Sequence, residues 1–329
     1  MRGALPGPLR RWGMSAGSLG LGLATLFVFR RGLPHVAWIV GYLLLLWLVV
    51  TVLAVARAAL EERGRHRVVG ALEYTIQTLA HGLLLFVLPA YYAAATPSSV
   101  NIGFVALVAA GALVTAVDPW YGALVRRHPW RERLLLGFAI FAAASVALAL
   151  VGVRPIVALV GSAPLAGLAL APAFRWPGAH PWPQALGTAA AVAAAVTALV
   201  WYGRAAIPPA PLFLARAVVA RDVVALRPVD EVGDEVSAES ILGGGGLVAF
   251  TAVYAPAGLR QAIEHVWHRN GAVVARIPLA TPVAGGRAEG FRTYSRRREW
   301  TAPVAGRYRV DVVTASGQLI GRVAFTVTP

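Results

Sequence analysis

The chain has 329 residues, of which 58% are hydrophobic and only 14% charged, with no cysteine. That balance lies outside the soluble range and points to membrane spans, while the lack of cysteine excludes disulfides, thiol catalysis and cysteine-based metal sites. The net charge of +15 would suggest nucleic acid in a soluble protein, but here it divides as +11 over residues 1–211 and +4 over residues 212–329. Arginines in the short loops of an apolar half are topology signals, so no nucleic-acid partner is expected.

The first apolar run, Gly13 to Phe29, lies between Arg10–Arg11 and Arg30–Arg31. No small-residue cleavage site follows it, so an uncleaved span is expected rather than a signal peptide. Further spans are expected at Val36 to Ala56, Val69 to Ala94, Val100 to Val117, Leu134 to Val151, Pro155 to Ala171 and Ala185 to Trp201, about seven in all. The last two are rich in Ala and Gly, which permit close helix approach but drive insertion weakly.

Orientation follows from the loops. Arg57, Arg63, Arg65 and Arg67 stand between the second and third spans, and Arg126, Arg127, Arg131 and Arg133 between the fourth and fifth. The turn Thr96 to Ser99 carries no charge. With the N-terminus inside, the outer loops hold only Arg30, Arg31 and Arg154. This asymmetry predicts a multi-pass protein of the cytoplasmic membrane with its N-terminus inside and its C-terminal domain outside.

Glu73, Gln77 and His81 recur every four residues and share one helix face. An ionisable residue at membrane depth is a candidate functional group, and such a ladder suits a proton or ion path. The structural alternative has Glu73 reaching Arg67 while Gln77 and His81 bond to neighbouring helices. Trp120, Trp130, Trp176 and Trp182, beside span ends, read as interfacial anchors. The dispersed histidines form no metal motif.

Residues 207–214 contain Pro208, Pro209 and Pro211, which stop a helix arriving from the N-terminal side. They divide a membrane domain, residues 1–206, from a β domain, residues 215–329. In the latter, strands are expected at Ala215–Val224, Leu247–Tyr254, Gln261–His268, Ala272–Leu279, Arg287–Arg296, Arg307–Thr314 and Leu319–Val327. Seven short strands with close turns describe an antiparallel sandwich of immunoglobulin-like size. Asn270–Gly271 marks a hairpin, Trp267 and Trp300 are the candidate core aromatics, and Arg227 to Ser240 reads as an acidic, irregular loop. Gly243 to Gly246 lacks the Lys-Ser or Lys-Thr of a phosphate loop.

Two constellations of this domain invite a functional reading. His265 and His268 lie near Glu264, but neighbouring strand positions face opposite ways, which argues against a shared metal. Arg296, Arg297 and Arg298 form a basic run suited to an anionic lipid or an acidic envelope protein, against the alternative of a solvated loop. No set of nucleophile, base and oxyanion donors converges, so no catalytic residues, metal or cofactor are assigned and no enzyme is expected.

The strings HVWHRNG at His265 to Gly271, RTYS at Arg292 to Ser295, GRYRV at Gly306 to Val310 and GQLIGRVAF at Gly317 to Phe325 resemble the bacterial module known as domain of unknown function 2914. The resemblance singles out His265, Trp267, Asn270, Gly271, Arg292, Ser295, Gly317, Gly321 and Phe325, and covers the last third of the chain. The membrane half resembles the region known as domain of unknown function 5924. The resemblance implies a polytopic bacterial envelope protein and no particular reaction.

Overall fold

A computed structural model describes residues 36–175, 180–300 and 302–329. The run expected as the first span, Gly13 to Phe29, and Trp176 lie outside the described residues. The chain divides into two compact units.

The helical unit is built from α1 (Val36–Glu62), α2 (His66–Ala93), α3 (Ile102–Ala116), α4 (Asp118–Tyr121) with a π-helical turn Gly122–Arg126, α5 (Pro129–Leu150), α6 (Pro155–Ala169), a 3-10 turn Ala171–Arg175 and α7 (Trp182–Gly203). Four of the described helices are long and apolar enough to cross a membrane: α1, α2, α5 and the helix from Trp182. A fifth span results if α3 is joined to Asp118–Arg126 across a bend of 101°. Pro119 explains the break, because it lacks the N–H that would continue the α3 ladder. With 15 residues, α6 reaches only about 22 Å, short of a hydrocarbon core of about 30 Å. The expected seven spans therefore become four long helices, a broken one and a short one, besides the run that is not described.

The alanine-rich helices meet through small residues. Ala185, Ala189 and Ala193 are buried on one face of α7, and a Cβ at Gly167 of α6 would lie 2.6 Å from Ala193 Cα. Without a hydrophobic drive between helices in lipid, such close backbone approach supplies the dispersion contact that holds them. Gly167→Val should therefore cost about 1–3 kcal/mol or more, read as a lower melting temperature of the detergent-solubilised chain. An unchanged melting temperature would contradict this packing.

The second unit holds residues Arg204–Pro329 together with Tyr91–Phe104 and Ala149–Ile156. The α2–α3 and α5–α6 connections thus belong with the strands. Those strands are β1 (Phe213–Val224), β2 (Arg227–Val232), β3 (Glu235–Ser237), β4 (Leu247–Tyr254), β5 (Arg260–Gln261), β6 (Ile263–Arg269), β7 (Ala272–Pro278), β8 (Val283–Ala284), β9 (Phe291–Arg297), β10 (Gly306–Thr314) and β11 (Leu319–Thr328), with a short helix α8 (Ala238–Gly243) after β3.

One sheet runs β2-β1-β4-β9, a second β3-β11-β10-β6-β7, and β5-β8 form a small pair. All pairings are antiparallel except β3 with β11. The segment expected as an acidic loop contributes β2, β3 and α8. Its edge strand β2 is mostly exposed on both faces, so it carries no hydrophobic alternation to read. Ala225 and Leu226 take positive φ at the β1–β2 turn without Gly or Asn, so no hairpin signal marks it. At Asn270–Gly271, φ of 49° and 91° form the hairpin expected from that pair.

The two larger sheets share a core. Val219, Leu247 and Ala249 of the first pack with Trp267, Tyr308, Val310 and Phe325 of the second. Trp267 is fully buried. Phe325 meets it edge-on and stacks on Tyr308, while Trp300 flanks both Trp267 and Tyr308. The proline junction is packed rather than free: Ile207 to Leu212 are buried, and Gln318 Nε2 donates to Ile207 O at 3.3 Å.

Candidate functional site

The stripe on α2 serves the break between α3 and α4. Where a helix stops, its last carbonyls lose their intrahelical donors. Gln77 Nε2 donates to Thr115 O and to Asp118 Oδ1, both at 2.9 Å. His81 Nδ1 lies 2.9 Å from Ala112 O, so that nitrogen carries the proton and donates. His81 Nε2 is then a buried acceptor with no partner among the described residues.

Glu73 pairs with Arg57 of α1 at 2.9 Å, not with Arg67. Arg57 also pairs with Glu61 at 2.9 Å. Below the stripe, Arg57, Glu73, Glu132 and Arg133 line a small pocket whose apolar wall includes Val50, Leu53, Ile76 and Leu136. Tyr121 OH donates to Glu132 Oε1 at 3.3 Å. Sequence reasoning assigned Arg57 and Arg133 to loop topology and passed over Glu132. The available signal was that Glu132 is an acid set among arginines.

In the β unit, the motif residues assemble a buried relay between the sheets. Thr251 of β4 and Ser295 of β9 come from the first sheet, His265 and Trp267 of β6 from the second. His265 Nδ1 lies 2.8 Å from Ser295 Oγ and its Nε2 3.1 Å from Thr251 Oγ1. Trp267 Nε1 donates to the same Ser295 Oγ at 3.2 Å. This is why His-x-Trp and the serine of RTYS occur together: one serine oxygen answers two side chains of the facing sheet. Burial pushes the His265 imidazole down to about 4, so it is neutral at ordinary pH and can be donor at one nitrogen and acceptor at the other. The serine–histidine pair resembles a nucleophile and its base, but His265 is fully buried and Ser295 is 3% exposed, which leaves no room for a substrate.

The other motif residues are structural in their contacts. Asn270 Oδ1 accepts from Arg307 N at 2.9 Å, tying the hairpin to β10. Arg292 pairs with Glu289 at 3.0 Å. Gly317 sits in a turn at φ 84°. A Cβ at Gly321 would fall 2.3 Å from Leu214 Cδ1, so β1 and β11 touch there.

His268 points away from His265, as alternation requires, and meets Asp311 at 3.3 Å. Burial lowers the His268 pKa, with Asp311 opposing. Asp311 also accepts from Arg322 at 2.5 and 3.0 Å. Arg322 Nη1 in turn donates to Ser98 O at 3.0 Å and to Ser98 Oγ at 3.1 Å, and Asn101 Nδ2 donates to Leu319 O at 3.4 Å. The uncharged turn of Thr96 to Ser99 is thus clipped to the β10–β11 hairpin within this unit. Arg204 Nε donates to Ser316 O at 3.0 Å, at the same hairpin.

Arg296 and Arg297 lie in β9 rather than in a loop. Arg296 pairs with Asp222. Arg297 lies over the Trp300 ring at 4.4 Å, and burial lowers its pKa. Arg298 is exposed. The run therefore offers one outward cation, with its two neighbours held by the fold. Among the described residues, no group of three or more His, Cys, Asp or Glu could hold a metal ion.

Comparison with known proteins adds the family. No curated protein matches the chain. A family model described as a family of unknown function, DUF5924, matches residues 9–248, and one described as a protein of unknown function, DUF2914, matches residues 260–327. The boundary between the matches does not divide the β unit, because β1 and β2 of the first region and β9 of the second join one sheet through β4. The chain belongs to the family of unknown function DUF5924 and carries a DUF2914 region at its C-terminal end.

Proposed function

We propose that this is a multi-pass protein of the cytoplasmic membrane that presents its β unit on the outer face as a binding module, not as an enzyme. One observation carries the reading. The β unit contains the α2–α3 turn, the α5–α6 turn and the exit from α7. These connections alternate along the chain with those that hold the arginines. The two turns and the short exit segment to Ala206 carry Arg154 and Arg204; the opposite connections carry Arg63, Arg65, Arg126, Arg127 and Arg175, with Arg57, Arg67, Arg131 and Arg133 close beside them. Because arginine-rich loops stay in the cytoplasm, the β unit belongs outside. An envelope protein or an anionic lipid surface is the partner of this module, with Arg298 as the exposed cation of the basic run.

The absence of cysteine allows a direct test. Glu239→Cys on α8 and Arg127→Cys after the π turn place single thiols at two exposed sites. In intact cells with the outer membrane permeabilised, an impermeant maleimide should label Glu239→Cys and should reach Arg127→Cys only after the cytoplasmic membrane is opened. The reverse pattern would place the β unit in the cytoplasm and overturn the reading.

A further inference from the structure

The core between the two larger sheets ends on a pair of arginines. Arg269 follows Trp267 by two residues on β6, and Arg297 follows Ser295 by two on β9. Strand alternation therefore sends both side chains between the sheets, one step beyond the Trp267–Ser295 hydrogen bond. Tyr308, the strand partner of Arg269, and Trp300 line the same end. The Arg297 guanidinium lies 4.4 Å from the centre of the Trp300 ring and 5.9 Å from that of Tyr308. Main-chain carbonyls hold both arginines in place: Arg269 Nη2 donates to Ala305 O at 2.9 Å, and Arg297 Nε to Glu299 O at 3.2 Å. Neither forms an ion pair with a carboxylate among the described residues. Glu299, the acid nearest in sequence, is exposed and meets Arg297 through its main-chain oxygen. Arg269 Nε and Arg297 Nη1 are buried without a hydrogen-bond partner, which leaves Arg269 Nη1 and Arg297 Nη2 as the nitrogens open to the surface. Burial lowers the Arg297 pKa, the Tyr308 phenol opposes this, and the Arg269 charge adds to it.

We propose that Arg269 and Arg297 form a binding site for a phosphate group. Two like charges held together with unsatisfied N–H groups are costly by themselves, and an anion removes that cost. The donors still open decide which anion. A planar carboxylate is held best by two parallel N–H groups of one guanidinium fork. Here the rest of each fork is bonded or buried, and each offers a single nitrogen. A tetrahedral phosphate presents its oxygens in several directions, so it accepts from two guanidiniums that approach from facing sheets. Its charge answers both. A Cβ at Gly246 would collide with Arg297 O, so the glycine run of Gly243 to Gly246 passes against this strand and adds no side chain there. The phosphate is either an esterified lipid headgroup or a soluble ion. The site gives a ligand class to the binding module described above and rests on that reading only for the compartment that supplies the ligand. Maleimide labelling reports the compartment and phosphate binding reports the site, so either fails without the other.

The test is isothermal titration calorimetry of the full chain in dodecyl maltoside, a detergent without phosphate. Inorganic phosphate, glycerol 3-phosphate and acetate are compared at matched ionic strength. The expected result is one saturable site for the phosphate ligands, with acetate weaker by about tenfold or more. Arg269→Gln and Arg297→Gln should each weaken phosphate binding by about tenfold or more, the worth of one charge-assisted hydrogen bond. Arg298→Gln, an exposed charge, should change it by less than about threefold. Tighter binding of glycerol 3-phosphate identifies an esterified headgroup, and tighter binding of inorganic phosphate a soluble ion. If the glutamine variants do not fold, Arg297→Lys, which keeps the charge and removes the fork, must still bind more weakly, and phosphate must raise the wild-type melting temperature more than acetate does. The proposal is overturned if phosphate does not bind, if acetate binds as tightly, if both folded glutamine variants bind as wild type does, or if Arg298→Gln alone abolishes binding.

Discussion

Trp267→Ala is expected to destabilise the β unit by about 3–5 kcal/mol, the largest effect of any single truncation in this domain. Trp267 is fully buried, bridges Trp300 and Phe325, and its indole N–H is spent on Ser295. Truncation removes the ring from the centre of the shared core and leaves Ser295 Oγ with His265 alone. Ser295→Ala acts by a different route. It creates little cavity but strips a partner from both Trp267 Nε1 and His265 Nδ1, at about 1–3 kcal/mol for each group left unsatisfied. Hydrogen–deuterium exchange of the full chain in nanodiscs separates these effects from global failure. Peptides covering β4, β6 and β9 should lose protection in both variants, while those of α1 and α2 keep theirs. Unaltered protection of β6 and β9 in Trp267→Ala would show that the inter-sheet core does not hold the unit together.

The second large effect is a loss of β-unit stability on mild acidification. His265 is held at about 4 by burial against an ordinary 6.5. Between those values the unfolded chain binds the proton and the folded chain does not, so stability falls as pH falls. The contribution is complete above about 6.5, is lost progressively on the way to about 4, and does not change further below that. A shift of this size corresponds to about 3 kcal/mol. His268, lowered mainly by burial, adds in the same direction. Asp222 works over the lower carboxylate range, because the backbone N–H of Val223 and the Arg296 guanidinium hold it below its usual value. His265→Gln isolates the imidazole, since it cannot titrate. Melting temperatures of wild type and variant should converge as pH is lowered from 7.5 to 4.5. Parallel curves would mean that His265 does not set the acid sensitivity.

Much of this protein is written locally. The change from long apolar runs to short alternating ones around the Pro208–Pro211 junction separates helices from strands, because side-chain burial imposes a period of 3.6 on one and 2 on the other. The arginine quartets and the uncharged Thr96–Ser99 turn alternate along the chain without reference to any contact. Asn270–Gly271 specifies its hairpin because few residues accept positive φ. Tertiary structure decided what pairing decides. Arg57 rather than Arg67 takes Glu73, because an ion pair between helices depends on how they pack, not on sequence distance. Gln77 and His81 gain their meaning from a helix break on a different segment. Arg296 and Arg297 look like a solvated basic run until β9 is placed beside Asp222 and Trp300. The strand β2 was invisible because an exposed edge leaves no apolar alternation. The α2–α3 turn joined the β unit through Arg322 and Asn101, polar contacts that no periodicity records. Local sequence encodes which groups must be buried or turned; only the folded chain settles which distant group answers each of them.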